Sequence, residues 1–378
     1  MMPDYAAVPA AGRMPQHARP RAQRIAAMAA LAYSLVIVYA SLQPLSGWRD
    51  TALHPVAFLG APWPRWITLE DIGFNFAAYL PLGLLLVVAL RRHLEAAAAV
   101  LTAALLCALL SLSLETAQQY LPARFASNLD LLVNAIGGAT GALIAPLFAP
   151  DRPLGGPLAR LRQQVFVEGA RGDAVLVLAG LWLLTQLHGA PLILGNGDLR
   201  DTLGLAGGPL PYAPETYRYA EAAVVMLNVA GAVMLLSCAA RVVNAAFWRS
   251  AALLLLAALT AKSLAAALIL RAANPWVWLT PGLLTGVAAA LVLVLALLQL
   301  PPRGRAAAAL LLTAAALLLV NSLPENPYRA APLHLLPGRA GHVLSFANIA
   351  RALSELWPLL AAVMLLTLLP GRAPPGQR

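Results

Sequence analysis

Glu115, Gln118, Gln119, Arg124, Asp130 and Asn134 lie close together in SLETAQQYLPARFASNLDLLVNAIGGATG (residues 113–141), within a chain otherwise rich in Ala and Leu. These residue types suit the recognition of an anion. A guanidinium meets phosphate through paired N–H groups, and carboxamides and carboxylates orient a polar headgroup by hydrogen bonds. Glu115, Gln118 and Gln119 share one face at i, i+3 and i+4, and Asn134 lies one helical turn after Asp130. A second stretch, DIGFNFAAYLPLG, repeats the D-x-x-x-N spacing at Asp71 and Asn75 and adds Tyr79 one turn further. An acid in a first helical turn also serves simply as a cap, and an Asn one turn on can lock helix packing, so that reading stays open.

The elements that must position these groups are membrane helices. The chain is 60% hydrophobic and 11% charged over 378 residues, with a mean hydropathy of +0.74, which excludes an ordinary soluble domain. Its apolar runs reach the roughly 20 residues that a spanning helix needs and lack the alternation of a barrel strand. The expected fold is an all-α, polytopic helix bundle of about ten spans, near residues 25–45, 70–90, 97–117, 129–149, 174–194, 219–240, 250–270, 280–300, 306–323 and 342–369. With the N-terminus inside, 16 of the 26 basic residues fall on inner segments and 8 on outer ones, leaving Lys262 and Arg351 within spans. Both termini are therefore expected in the cytoplasm and the protein in the inner membrane. The net charge of +10 is spread over loops, which argues against nucleic-acid binding.

In this topology both D-x-x-x-N segments enter from outside. Three consecutive spans then bring carboxylates and carboxamides to one outer level, with Arg124 on the crossing between two of them. Buried carboxylates at that depth cost several kcal/mol unless they are paired, so convergence is expected. Gly137, Gly138 and Gly141 extend the polar face of the fourth span as a small-residue stripe that permits close helix approach.

The segment at 150–173, rich in Pro, Gly and Arg, divides the chain. The expected parts are a tail at 1–24, a four-helix domain at 25–150, a basic linker at 151–173, a six-helix domain at 174–370 and a tail at 371–378. Part of the linker, 158–167, reads either as a short helix against anionic headgroups or as a solvated connection. In the second half, Asn348, Arg351 and Glu355 follow one helix face, and Glu355 is a reasonable partner either for Lys262, which sits within a span, or for Arg351 at the i,i+4 spacing of a packing ion pair. Cys107 and Cys238 read as apolar fillers, and no histidine spacing matches a zinc site, so neither a metal nor a cofactor is expected.

The order Asn75, Tyr79, Pro81, Gly83, then Glu115, Gln118 or Gln119, Pro122, Arg124, then Asp130, Asn134, Gly137 and Gly141 resembles the VanZ-like family of bacterial membrane proteins over roughly residues 25–150. The resemblance implies a cell-envelope role. The family name refers to resistance to the glycopeptide teicoplanin, an activity that does not transfer to this chain on the name alone. The expected function is binding or translocation of an anionic lipid-linked envelope precursor, such as a polyprenyl-phosphate lipid. The alternative is a non-catalytic scaffold that recognises another envelope membrane protein. No serine beside histidine, phosphate-binding glycine loop or HExxH supports catalysis, although Glu115 or Asp130 has the chemistry of a general base.

Overall fold

A computed structural model describes residues 19–43, 45–64, 69–149, 152–188, 193–200, 203, 213–269, 274, 276, 278–323 and 343–369, the side chains of 19–22, 69–71, 268–269 and 343–349 excepted. The described residues are helical, with a single antiparallel bridge, Phe166 to Ala240. The helices are α1 (Arg19–Leu42), α2 (Leu69–Leu90), α3 (Ala96–Gln118), α4 (Asn128–Ile144), α5 (Gly155–Val165), α6 (Ala170–Thr185), α7 (Pro214–Ser237), α8 (Ala245–Leu264), α9 (Pro281–Leu297), α10 (Pro302–Ser322) and α11 (Val343–Leu368). Among the described residues, eight are long and apolar enough to cross a membrane, namely α1 to α4, α7, α8, α10 and α11. The expected spans at 174–194 and 280–300 appear as the shorter α6, of 16 residues, and α9, of 17.

Where the chain is next described past α6, it is not helical. The Gly195-Asn196-Gly197 segment is a poor helix former, and Gly197 has φ +83°. Instead of continuing α6, residues 193–197 turn back and are buried in the bundle. Gly197 N–H donates to Ser354 O at 2.8 Å. That carbonyl is the one that Pro358, inside α11, leaves without a helical donor. A side chain at 197 would press on Pro358 and Leu317, so the loop needs glycine for space as well as for conformation.

In the first half α2 and α4 pack through their backbones. A Cβ at Gly83 would strike Gly138 O, one at Gly137 would strike Phe76, and one at Gly141 would strike Leu80 O. Gly138 in turn seats Cys107 of α3. The small-residue stripe of α4 thus does what its spacing predicts, drawing in α2 on one side and α3 on the other.

The two halves share one hydrophobic core, because α1 packs on α6 and α11 as well as on α2 and α3. At the end where α1 starts, the linker forms α5 at 155–165, close to the anticipated 158–167. Asp173 of α6, fully buried, accepts from Arg24 of α1 at 2.6 Å and from Arg162 of α5 at 2.7 Å. Arg241, after α7, pairs with Glu168 at 3.0 Å and donates to Phe166 O. The linker is therefore docked to both halves and is not a solvated connection.

Candidate functional site

The polar residues of the first half form three ladders with a step of one helical turn. On α2 the ladder runs Asp71, Asn75, Tyr79, Gly83. On α3 it runs Gln119, just past the helix end, then Glu115, Ser111 and Cys107, and on α4 it runs Asp130, Asn134, Gly138. Residues four apart stack along one helix face, so each ladder keeps its polar members on one side while it descends into the bundle. Close glycine contacts bring the three faces together. Asp71 lies in the first turn of α2, and its side chain is outside the described residues.

The lower tier is a connected set. Asn134 Nδ2 donates to Ser111 Oγ at 3.0 Å, and the Tyr79 hydroxyl lies close to Ser111 and Glu115. Two atoms in this interior have no hydrogen-bonding partner: Asn75 Nδ2 and Asn134 Oδ1. In the upper tier Glu115 Oε2 accepts from Ser127 N at 2.8 Å. Ser127 caps α4 by accepting from Asp130 N at 3.3 Å. Glu115 and Asp130 are both buried.

Gln118, Gln119 and Arg124 have a different role, because all three donate to backbone carbonyls. Arg124 Nε and one terminal nitrogen donate to Gln43 O and Ala40 O, each at 2.9 Å, and Gln118 donates to Ser41 O at 2.9 Å. A helix leaves its last carbonyls without donors and carries partial negative charge there, so a cation and an amide are suitable caps for α1. Gln119 donates to His54 O at 2.9 Å, Asn128 to Ala61 O at 2.7 Å, and Arg49 N to Tyr120 O at 3.0 Å. These bonds fasten the segment at 45–64 across the mouth of the polar interior. Burial holds the Arg124 guanidinium below its ordinary pKa, which still leaves it charged at neutral pH.

Of the second-half candidates, Lys262 and Glu355 are buried and Arg351 is partly exposed. Lys262, at the end of α8, donates from Nζ to His188 O at 2.9 Å. Arg351 Nε donates to Glu355 Oε1 at 2.8 Å, at the i,i+4 spacing read from the sequence. Asn348 lies on α11 with its side chain outside the described residues. Trp357 donates to Leu178 O and Trp278 to Ser263 Oγ, so both act in packing.

Several polar groups were not singled out in the sequence. Asp173 is one, and its signal is a single acid at the head of an apolar run, with arginines at 24 and 162 read only as marks of topology. Others hold the inserted loop. Asn321 donates to Gly197 O at 2.7 Å and accepts from Leu199 N at 2.9 Å, and Arg200 pairs with Asp198 at 2.6 Å and donates to Leu323 O. With its amide oriented so that the oxygen accepts from Trp182 Nε1, Asn196 donates to Thr185 and Ser354. The cue is GNGD at 195–198, four helix-poor residues directly after an apolar run.

The set of apolar helices long enough to span a bilayer defines a multi-pass membrane protein. Residues 24–149 match the family model described as VanZ/LLP1, so the N-terminal region, about a third of the chain, is a VanZ-like domain. No curated protein and no solved structure matches the chain.

Proposed function

We propose that the VanZ-like region binds the headgroup of an anionic lipid-linked envelope precursor at the mouth closed by the 45–64 segment, on the outer face of the inner membrane. The observation that carries this reading is the state of Arg124. Two of its five N–H groups are fixed on α1 carbonyls, which sets the guanidinium plane and leaves three donors for a phosphate. The polar ladders of α2 to α4 supply hydrogen-bonding groups for the rest of the headgroup, and the lipid-facing helices accommodate the chain.

The test is retention of polyprenyl phosphate by purified protein. Arg124→Ala lowers retention at least about tenfold and Arg124→Lys less, since a lysine still offers a positive charge but not the planar fork. A second reading, a scaffold that docks another membrane protein, draws on the apolar rim of the same mouth, where Trp48, Trp63 and Phe125 are exposed. Unchanged lipid retention, together with loss of a co-purifying protein in Phe125→Ser, would favour that scaffold.

A further inference from the structure

The docked linker helix turns a mixed apolar and basic face outward at the end of the bundle where α1 starts. It follows α4 closely: the backbone at Gly155 comes so near Phe148 O and Ala149 O that a Cβ there would strike both. At its other end Arg241 N, just past α7, donates to Val165 O at 2.8 Å, and Arg162 reaches Asp173 in the first turn of α6. Helix α5 therefore lies across the ends of α4, α6 and α7 and is fixed at that depth from both sides.

Its exposed face combines two chemistries. Leu154 and Leu158, one turn apart, are 53% and 57% exposed, and beside them stand the exposed Leu147 and Phe148. Leu132, Ile136, Leu143 and Leu147 are exposed along one side of the spanning segment that contains α4, so its apolar surface runs on to α5. Arg152, Arg160 and Arg171 are exposed too, and none of them has an ion pair among the described residues. The described carboxylates of this region are occupied, Asp173 by Arg24 and Arg162 and Glu168 by Arg241, so six arginines face two acids. Leucines that enter below the headgroups and arginines that stay among them are the combination that holds a helix on an anionic leaflet. A protein partner could supply matching carboxylates, but it would not require an apolar surface continuous with a span.

We infer that this face of α5, with Leu154 and Leu158 below the headgroups and Arg152, Arg160 and Arg171 among them, is a docking surface for anionic phospholipid in the leaflet opposite the proposed headgroup site. It shares no residue with that site and stands or falls apart from it.

The experiment is hydroxyl-radical footprinting of the purified full chain in nanodiscs of phosphatidylcholine alone and of phosphatidylcholine mixed equally with phosphatidylglycerol. Oxidation of Leu154 and Leu158 falls at least about fivefold in the anionic discs, the factor that corresponds to one arginine near such a surface. In the triple variant Arg152→Gln, Arg160→Gln, Arg171→Gln, the two discs differ by less than about twofold. The same three positions changed to lysine keep the protection, since a leaflet reads charge rather than the guanidinium fork. A control triple of exposed arginines on other loops, Arg91→Gln, Arg92→Gln, Arg303→Gln, keeps it as well. Equal oxidation of the unaltered chain in both discs overturns the docking surface, and so does full protection in the first glutamine triple. Protection lost in the control triple also overturns it, by reducing the effect to overall charge. Leucines oxidised equally in both discs yet protected in native membranes would assign the face to a protein partner instead.

Discussion

Two helices of this protein carry an internal proline, and the surroundings of the two breaks differ. In α2, Pro81 removes the donor for Ala77 O, and the hydroxyl of Tyr33 from α1 donates to the adjacent carbonyl, Ala78 O, at 2.9 Å. In α11, Pro358 frees Ser354 O, and the backbone of the inserted loop supplies Gly197 N–H. A broken helix is tolerated within a membrane when neighbouring groups satisfy the freed carbonyls. At the first break a side chain from α1 bonds the carbonyl next to the freed one. The second commits a whole loop, held by Asn321, Ser354 and Arg200, to the interior of the bundle. The first half is built by glycine contacts among α2, α3 and α4, whereas the second, besides the glycine contact of Gly286 in α9 with Ala222 O of α7, anchors a non-helical segment with polar groups.

The largest test of this contrast is on the glycine contacts. Gly141→Leu forces a side chain into the Leu80 backbone, which cannot yield as a side-chain end can, and is expected to cost about 3 kcal/mol or more. Thermal unfolding by fluorescence-detected gel filtration would show little folded protein. Gly180→Leu in α6 meets open space and leaves the midpoint within a few degrees. A tolerated Gly141→Leu would end the claim that α2 and α4 touch through their backbones.

Next in size is the joint between the halves. Asp173→Leu leaves Arg24 and Arg162 without their carboxylate and is expected to destabilise the chain by about 3 kcal/mol, less than a fully buried pair because Arg24 is partly exposed. The readout is protease sensitivity within 150–170, which rises if the linker undocks. A linker as resistant as before would mean that α5 is held by its backbone bridge alone.

A smaller effect is expected at the loop. Gly197→Ala meets both the positive φ and the Pro358 ring, at a cost of about 1–3 kcal/mol confined to the second half. Hydrogen exchange should accelerate in 193–200 and in α11 around Ser354 while α2 and α4 stay protected. Acceleration spread evenly over both halves would contradict the division drawn above. The smallest effect is Gln119→Ala, which removes one exposed bond to His54 O and should cost about 0.5–1 kcal/mol, visible chiefly as faster exchange in 50–58.

The sequence made the spans legible because the apolar runs are long and the charges sit between them. It also showed the Asp-Asn repeat, the glycine stripe and the Arg351 to Glu355 pair, since each depends on spacing within one helix. Other features depend on partners distant in sequence. Arg124 looked like a partner for carboxylates, yet its described bonds go to carbonyls 81 and 84 residues away. Every residue carries a backbone carbonyl, so composition gives no address for such a bond. The span expected at 174–194 failed past Thr185 for a related reason. Hydropathy registers burial, and Ile193 and Leu194 are buried, but in a loop whose polar backbone is satisfied by α10 and α11.

The clamp on Asp173 also imposes an order of events during synthesis. Arg24 and its acceptor are separated by 149 residues, so at about 5–20 residues per second the ribosome takes roughly 7–30 s to deliver the second after the first. Through that interval the first helix resides in the bilayer with its partner not yet made, held only by its successors. The finished joint thus records the arrival of the sixth helix, and a chain truncated before residue 173 would leave the insertion machinery with its first helix never locked.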